Sequence, residues 1–178
     1  MSKFSRQYYL IFVAIFEILH FFTFAAAQDI YATVEISEKE MPIAKVTGRF
    51  AMEKRTLLFL RSIVGFNGLG ERITDLHLQG RNGEKVKFQS AVPGQYVADS
   101  PFTEWSYSID LHPRKELAAA AHVSWINDNK GVLMFGDILP LGGDRSNTSG
   151  KIKLVLPTNW RRPENWRDRT IVTNDLSG

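Results

Sequence analysis

The feature that most constrains the fold is a period of two in the hydrophobic pattern. From Trp105 to His112, apolar residues alternate with polar ones at every position. Successive side chains of a β-strand point to opposite faces, so this run predicts a strand with one buried face and one solvated face. The same alternation recurs over residues 31–36, 121–125 and 151–156, where Val155 is the one break in it.

Turn signals separate several of these runs. Arg81-Asn82-Gly83 and Asn129-Lys130-Gly131 each predict a hairpin, because Asn and Gly tolerate the positive φ of a tight turn. Helical periodicity is weak, and residues 113–120 are expected to form one or two turns that begin at a proline. The pattern predicts an all-β fold, an antiparallel β-sandwich with a short helical turn and an irregular C-terminal tail.

The N-terminal segment, residues 1–27, is typical of a secretory signal peptide. Lys3 and Arg6 precede an apolar run over residues 8–24, and Ala25-Ala26-Ala27 supplies a small-residue cleavage site. Glu17 disfavours a permanent membrane span, since an ionised Glu near the bilayer centre costs roughly 2–3 kcal/mol. We therefore expect an exported protein, periplasmic or extracellular in a bacterium. The chain would contact a membrane only through this segment, if it stays uncleaved.

The remaining chain divides into a β-sandwich domain, residues 28–157, and a C-terminal extension or linker, residues 158–178. The alternation ends before the extension, which carries Trp160, Trp166 and several arginines. The whole chain has 22 Lys and Arg against 19 Asp and Glu, a net charge of +3. That small excess does not create the positive field that nucleic-acid binding requires, so no nucleic-acid partner is expected.

Catalytic and metal-binding motifs are missing from the sequence. There is no Cys, and none of the four His belongs to an H-E-x-x-H motif. His112 and His122 are expected at the surface, and His77 has no metal-binding neighbour in the pattern. Ser124 lies two residues after His122, so both would share one strand face, which we interpret as solvated. We predict no catalytic residue, no metal or cofactor-binding residue, and no cofactor.

Two further motifs have ordinary structural interpretations. Gly65, Gly68 and Gly70 form G-x-x-G-x-G, and no amphipathic helix follows them, so a loop with positive φ is favoured over a phosphate cradle. Asp137 is interpreted as a turn-stabilising acid. A pair of carboxylates formed with Asp144 is the alternative.

A spaced set of segments carries a family resemblance. It comprises residues 70–76 (GERITDL), 94–99 (GQYVAD), 121–126 (AHVSWI) and 131–140 (GVLMFGDILP). Together they resemble the amino-terminal β domain of exported bacterial glycyl-aminopeptidase-type zinc metallopeptidases, from about Ile30 to Trp160. The resemblance implies a β-rich domain that precedes a zinc catalytic domain. The H-E-x-x-H motif of that catalytic domain does not occur here, so no catalytic residue is carried over.

The resemblance therefore implies a non-catalytic accessory module whose partner is a peptidase domain or another protein. One alternative is a part of a metallopeptidase that a separate chain completes. Another is a periplasmic peptide- or carbohydrate-binding module that uses Trp105, Tyr107 or the terminal tryptophans. Lys151 and Lys153 suggest a charged, guarded edge on the last predicted strand.

Overall fold

The structure is a computed structural model that describes residues 30–40, 42–63, 66–114, 122–127, 130–141, 148–158, 160 and 170–173. The predicted all-β class is confirmed, because strands dominate these residues. The strands are β1 (Ile30–Ile36), β2 (Ile43–Leu58), β3 (Ser62–Ile63), β4 (Phe66–Asn67), β5 (Ile73–Gln79), β6 (Lys85–Val86), β7 (Phe88–Val92), β8 (Gln95–Asp110), β9 (Trp125–Asn127), β10 (Lys130–Val132), β11 (Thr148–Val155) and β12 (Thr170–Thr173). The helical elements include a 3-10 turn, Gly70–Arg72, and a short helix α1, Phe135–Ile138.

Eight strands form one sheet in the order β12-β11-β1-β2-β8-β5-β6, with β7 also paired to β8. Neighbours are antiparallel except β1 and β11, which run parallel from Ile30 opposite Gly150 to Glu35 opposite Val155. A hairpin turn forces antiparallel pairing, whereas strands far apart in the chain are free to pair either way. Two small sheets, β9 with β10 and β3 with β4, complete the strand pairing of the described residues.

The inward positions predicted for two strands are buried in the structure. They are Ala32, Val34 and Ile36 on β1, and Trp105, Tyr107, Ile109 and Leu111 on and just after β8. The other two predicted runs fit less well, since Trp125, Ile152 and Leu156 are half-buried and β9 buries Ile126 instead. β2 lies between β1 and β8 and follows the same rule as they do, since Ala44, Val46 and Phe50 are also buried. The core is therefore built mainly on one face of the central strands.

The two longest strands bend, so the sheet folds back over its own core. The Phe59 ring lies 6.2 Å from the Tyr96 ring and 4.9 Å from the Tyr107 ring. Eleven residues of straight strand, the separation of the two tyrosines along β8, would span about 36 Å. The pairing of β2 with β8 shifts register between Arg49 and Thr56, close to Pro101, which has no N–H to donate. The bend lets one sheet supply both sides of the core.

Both predicted hairpins occur, but the turn of the second lies earlier than predicted. β5 pairs with β6 across residues 80–84, and β9 pairs with β10, with Asn127 opposite Lys130. Lys130 and Gly131, both predicted as turn residues, belong to β10. The first turn differs in detail from a two-residue Asn-Gly turn. Gly83 has φ of 80° whereas Asn82 has no positive φ, and the Gly83 amide donates to the Gly80 carbonyl at 3.0 Å. Residues 115–121, most of the expected helical turn, lie outside the described residues.

The C-terminal extension is more regular than predicted. Thr170–Thr173 form β12, antiparallel to the start of β11. The β-branched run Thr-Ile-Val-Thr favours a strand, and it is too short to stand out in a segment without alternation. Trp160 packs against the core, while Trp166 and the signal segment lie outside the described residues. The described residues include no helix with the length and apolar character of a membrane span.

Candidate functional site

A groove crosses the solvated face of the main sheet, opposite the core. We call it the open-face groove. Strand register aligns its side chains in two rows that run across β11, β1, β2, β8 and β5. The first row is Lys151, Tyr31, Arg49, Glu104 and Gln79, and the second is Lys153, Thr33, Thr47, Ser106 and His77. The groove has a volume of about 550 Å³.

The open-face groove carries more positive than negative charge. Arg49, Lys151 and Lys153 are exposed, and Glu104 is the one acid in the two rows. Among the ion pairs of the described residues, none involves these three cations. The Arg49 guanidinium lies 4.8 Å from the centre of the Tyr31 ring, a cation–π contact that restrains it within the groove.

The structure corrects the edge interpretation for Lys151, whereas for Lys153 the pairing described is the one with β1. β11 is not the last strand of the sheet, since it lies between β1 and β12. Lys151 is paired on both sides, opposite Tyr31 and Thr170, and Lys153 is paired opposite Thr33. Strand side chains project from the faces of a sheet rather than from its edge, so both lysines belong to the groove.

Gly48 lies beneath the middle of the groove because the Trp105 ring needs its space. On the core side the register aligns Ala32, Gly48 and Trp105 across three neighbouring strands. A Cβ atom on Gly48 would lie 2.3 Å from Cζ2 of Trp105 and 2.6 Å from the Tyr31 carbonyl oxygen. The indole therefore occupies the place that a side chain at residue 48 would take, and it fixes the backbone under the groove.

A second site is a buried polar cluster formed by Arg72, Ser124 and Asp137. Their exposed fractions are 4%, 1% and 4%. Arg72 Nη2 donates to Asp137 Oδ2 at 3.0 Å, and the Ser124 backbone N–H donates to the same oxygen at 2.7 Å. The Ser124 hydroxyl donates to Asp137 Oδ1 at 2.6 Å. Asp137 is thus a buried structural acid, and its partners are Arg72 and Ser124.

The cluster joins three distant parts of the chain rather than activating a nucleophile. Arg72 Nη1 also donates to the Ser124 carbonyl at 3.3 Å, and the Met134 N–H donates to the Ser124 hydroxyl at 2.6 Å. Burial lowers the pKa of the Arg72 guanidinium, and the nearby Asp137 carboxylate opposes that effect. With every group paired and out of solvent, the arrangement is typical of a structural brace.

The expectation that Ser124 lies on a solvated strand face is wrong. β9 begins at Trp125, one residue later, so Ser124 and His122 do not share a strand. His122 is exposed, whereas Ser124 turns inward to Asp137. A serine at a strand entrance can satisfy a buried carboxylate, and alternation alone does not distinguish that position from the strand itself.

Tyr107 extends the cluster and gives a pH-dependent prediction. Its hydroxyl donates to the Ile138 carbonyl at 2.5 Å. Burial raises the pKa of the Tyr107 phenol well above its ordinary 10.0, although Arg72 opposes the shift. Below pH 10 the tyrosine is neutral in both states, but above pH 10 the unfolded chain releases its proton first. The contribution of Tyr107 to stability is therefore lost as the pH rises above 10.

We accordingly expect Tyr107→Phe to cost about 1–3 kcal/mol at pH 8, because a buried carbonyl loses its donor. The difference in unfolding free energy between the unmodified protein and Tyr107→Phe should narrow above pH 10, since phenylalanine has no proton to release. Urea unfolding at a series of pH values measures both effects. A gap that stays constant through pH 11 would contradict the assigned burial of the phenol.

The three histidines of the described residues do not come together. His77 lies in the second row of the open-face groove, His112 and His122 are exposed elsewhere, and the His112 ring contacts Asp110 Oδ1 at 2.5 Å. No group of three His, Cys, Asp or Glu in the described ranges is arranged to hold a metal ion. Asp144 lies outside the described residues, so its pairing with Asp137 is untested.

The glycine-rich loop has the predicted structural role. Gly68 has φ of 81°, and the loop continues into the three-residue turn Gly70–Arg72 and then β5. A Cβ atom on Gly70 would lie 2.5 Å from the Pro93 carbonyl oxygen, so close backbone contact also requires glycine there. Gly65 is outside the described residues.

Buried rings exclude part of the carbohydrate hypothesis. Trp105 and Tyr107 are 2% and 3% exposed, so neither presents a ring face to a sugar. Their rings stack on each other instead, with centres 5.6 Å apart. Trp160 is partly buried against the core. The hypothesis that Trp105 and Tyr107 form a sugar-binding platform is therefore wrong. Both residues are buried, as the alternation predicted.

Comparison with known proteins gives a structural relation. No protein-family model matches the chain, and no curated protein sequence matches it. Its fold is similar to part of the crystal structure of an aminopeptidase N family protein from Idiomarina loihiensis, with a TM-score of 0.58 and 12% sequence identity. The match covers 73% of this chain and 22% of the other chain. At this identity the two proteins share a fold, and this chain spans less than a quarter of the larger protein.

The sequence analysis did not identify two parts of the candidate sites, the β2 residues of the groove and Arg72. The alternation of Ala44, Val46, Gly48 and Phe50 with Lys45, Thr47 and Arg49 is a strand signal, and it would have placed Thr47 and Arg49 on the solvated face. Arg72 carries no comparable signal. A single arginine beside a glycine-rich loop is ordinary at a surface, and only its contact with Asp137, 65 positions away, shows that it is buried.

Proposed function

We propose that this chain is an exported, non-catalytic β module related to the N-terminal accessory domain of zinc aminopeptidases. The fold likeness to part of an aminopeptidase N family protein supports this proposal. That likeness spans most of this chain but less than a quarter of the larger protein. The resemblance of the stretch from about Ile30 to Trp160 to the β domain of glycyl-aminopeptidase-type enzymes points to the same class of module. Its partner would be a peptidase domain or another protein.

The buried cluster suits an accessory module that must hold its shape against a partner. Arg72, Ser124 and Asp137 fasten the segment that contains β9, β10 and α1 to the glycine-rich turn. The same segment is also held by the side chains of Ile126, Ile138 and Leu139 in the core, by the Tyr107 hydroxyl that donates to the Ile138 carbonyl, and by the Ile126 N–H that donates to the Leu111 carbonyl. A fixed segment loses less conformational entropy on association, which favours binding.

An activity assay tests the non-catalytic role. Residues 28–178 should show no zinc-dependent hydrolysis of glycyl or alanyl peptide substrates above the protein-free blank. A zinc aminopeptidase measured in parallel would establish the sensitivity of the assay. Hydrolysis that zinc supports and a chelator abolishes would overturn the proposal.

A second experiment tests the partner and the export. The full chain, tagged at its C-terminus, is expressed in its native host, cross-linked, and analysed by mass spectrometry. The expected product is a mature chain beginning at Gln28, cross-linked mainly to a protein with an H-E-x-x-H motif. A cytoplasmic chain that retains residues 1–27, or a mature chain that cross-links to no protein reproducibly, would contradict this role.

The alternative, part of a metallopeptidase completed by a separate chain, differs in one measurable way. If the module completes an active site, adding it to the isolated partner should create activity where there was none. If it is an accessory domain, the partner should already hydrolyse peptides alone. Comparing kcat/KM of the partner with and without the module distinguishes the two.

A further inference from the structure

We propose that the open-face groove binds an extended acidic segment of a peptide or protein. Three exposed cations, Arg49, Lys151 and Lys153, line one half of it, and their charges are not neutralised by any ion pair of the described residues. Like charges held close together repel one another, and a bound polyanion relieves that repulsion. The groove can bind such a ligand whether or not the module also packs against a peptidase domain.

The spacing of the cations matches alternate side chains of an extended peptide. Lys151 and Lys153 are two residues apart on one strand, so their Cα atoms are separated by about 7 Å. In an extended peptide, side chains on one face repeat at the same distance of about 7 Å. Carboxylates at alternate positions of a ligand aligned with β11 can therefore reach both lysines at once.

Arg49 supplies a third anchor at a different angle. It lies in the same row as Lys151, with Tyr31 between them, which places the two backbones about 10 Å apart. An arginine guanidinium binds a carboxylate through two parallel hydrogen bonds. Its contact with the Tyr31 ring limits its freedom before binding, and this reduces the entropy cost of forming that pair.

Thr33 supplies a polar group for the backbone of the ligand. It lies opposite Lys153 on β1, the strand next to β11. Its hydroxyl can donate to a ligand carbonyl or accept from a ligand amide. Within the two rows the negative charge is that of Glu104, which lies beside Arg49 on the β8 side, and Glu35 lies outside the rows, opposite Lys45. A ligand with its carboxylates over β11 and β1 is therefore favoured over the opposite placement.

A peptide fits these features better than a sugar or a membrane surface. Tyr31 is the aromatic residue of the two rows, and the Arg49 guanidinium covers one face of its ring. Sugars stack on an uncovered ring face, so this arrangement disfavours a sugar. The two rows carry no large aliphatic side chain that could enter a bilayer, whereas interfacial membrane binding combines basic with apolar residues.

Fluorescence anisotropy with a labelled Glu-Ala-Glu-Ala-Glu peptide tests the proposal on residues 28–178 at low salt. We expect saturable binding that the matched Gln-Ala-Gln-Ala-Gln peptide lacks and that added salt weakens. Lys151→Glu combined with Lys153→Glu should weaken binding roughly 10-fold, since two attractions become repulsions. Arg49→Gln should weaken it by several-fold.

The matched control is Lys39→Glu combined with Lys130→Glu, which changes the net charge equally at exposed sites outside the groove. This control should alter binding less than two-fold, and thermal unfolding checks that every variant is folded. An equal loss of peptide affinity in both double variants, or no binding of the acidic peptide at all, would overturn the proposal that the groove is the binding site. Groove-dependent binding of an oligogalacturonate or of phosphatidylglycerol vesicles, without binding of the peptide, would overturn the assigned occupant.

Discussion

Asp137→Ala is expected to lower the free energy of unfolding by about 3–5 kcal/mol, because it leaves the buried Arg72 guanidinium without its counter-charge. The same change removes the acceptor of the Ser124 hydroxyl and backbone N–H. For a domain of this size the loss corresponds to a melting temperature lower by roughly 6–20 °C. Urea unfolding at neutral pH, followed by circular dichroism, measures it.

A double variant separates the cost of an orphaned charge from the loss of the pair itself. Arg72→Met combined with Asp137→Leu removes both charges and should destabilise less than Asp137→Ala alone. Asp99→Ala, at an exposed position on β8, is the control and should change stability by less than about 0.5 kcal/mol. A loss below 1 kcal/mol for Asp137→Ala would show that the cluster is not a brace.

Gly48→Val should destabilise the protein by about 3 kcal/mol, and Gly48→Ala by roughly 1–3 kcal/mol. The reason is steric, because any Cβ at residue 48 collides with the Trp105 ring and the Tyr31 carbonyl oxygen. The ring cannot move aside easily, since Phe50 and Tyr107 pack against it with ring centres 5.9 and 5.6 Å away. Chemical unfolding of both variants measures the loss.

Gly136→Ala is the matched control for the Gly48 variants. Nothing lies within 4 Å of a Cβ atom at residue 136, and alanine is the better helix former in α1. We expect it to be neutral or slightly stabilising. Trp105→Leu combined with Gly48→Ala should destabilise the protein by less than the sum of the losses caused by the two single variants. Strict additivity of the two would show that the collision with the ring is not the cause.

The parts of the fold that the sequence predicted depend on local rules. Alternation located the buried faces of β1 and β8, because the two-residue period of a strand does not depend on its neighbours. Gly83 located the turn between β5 and β6 for a similarly local reason. Ser124 broke the pattern, because its burial is compensated by Asp137, thirteen positions along the chain.

The sites depend on pairings that no local rule contains. The groove exists because β11 pairs with β1 and β2 pairs with β8, which aligns Lys151, Tyr31 and Arg49 in one row. These residues come from three separate stretches of sequence. Each stretch shows which of its side chains face solvent, but not which residues lie beside them.

By itself the sequence determined the all-β class, the inward positions of β1 and β8, and the two hairpins, because each follows from short-range backbone geometry. The tertiary structure decided the parallel pairing of β1 with β11, the bend of β8, the burial of Arg72 with Asp137, and the rows of the open-face groove. These features arise from contacts between distant segments, whose free energy depends on strand order and on the packing of a shared core. That is why a period of two could identify the faces of the sheet but not the residues that meet on them.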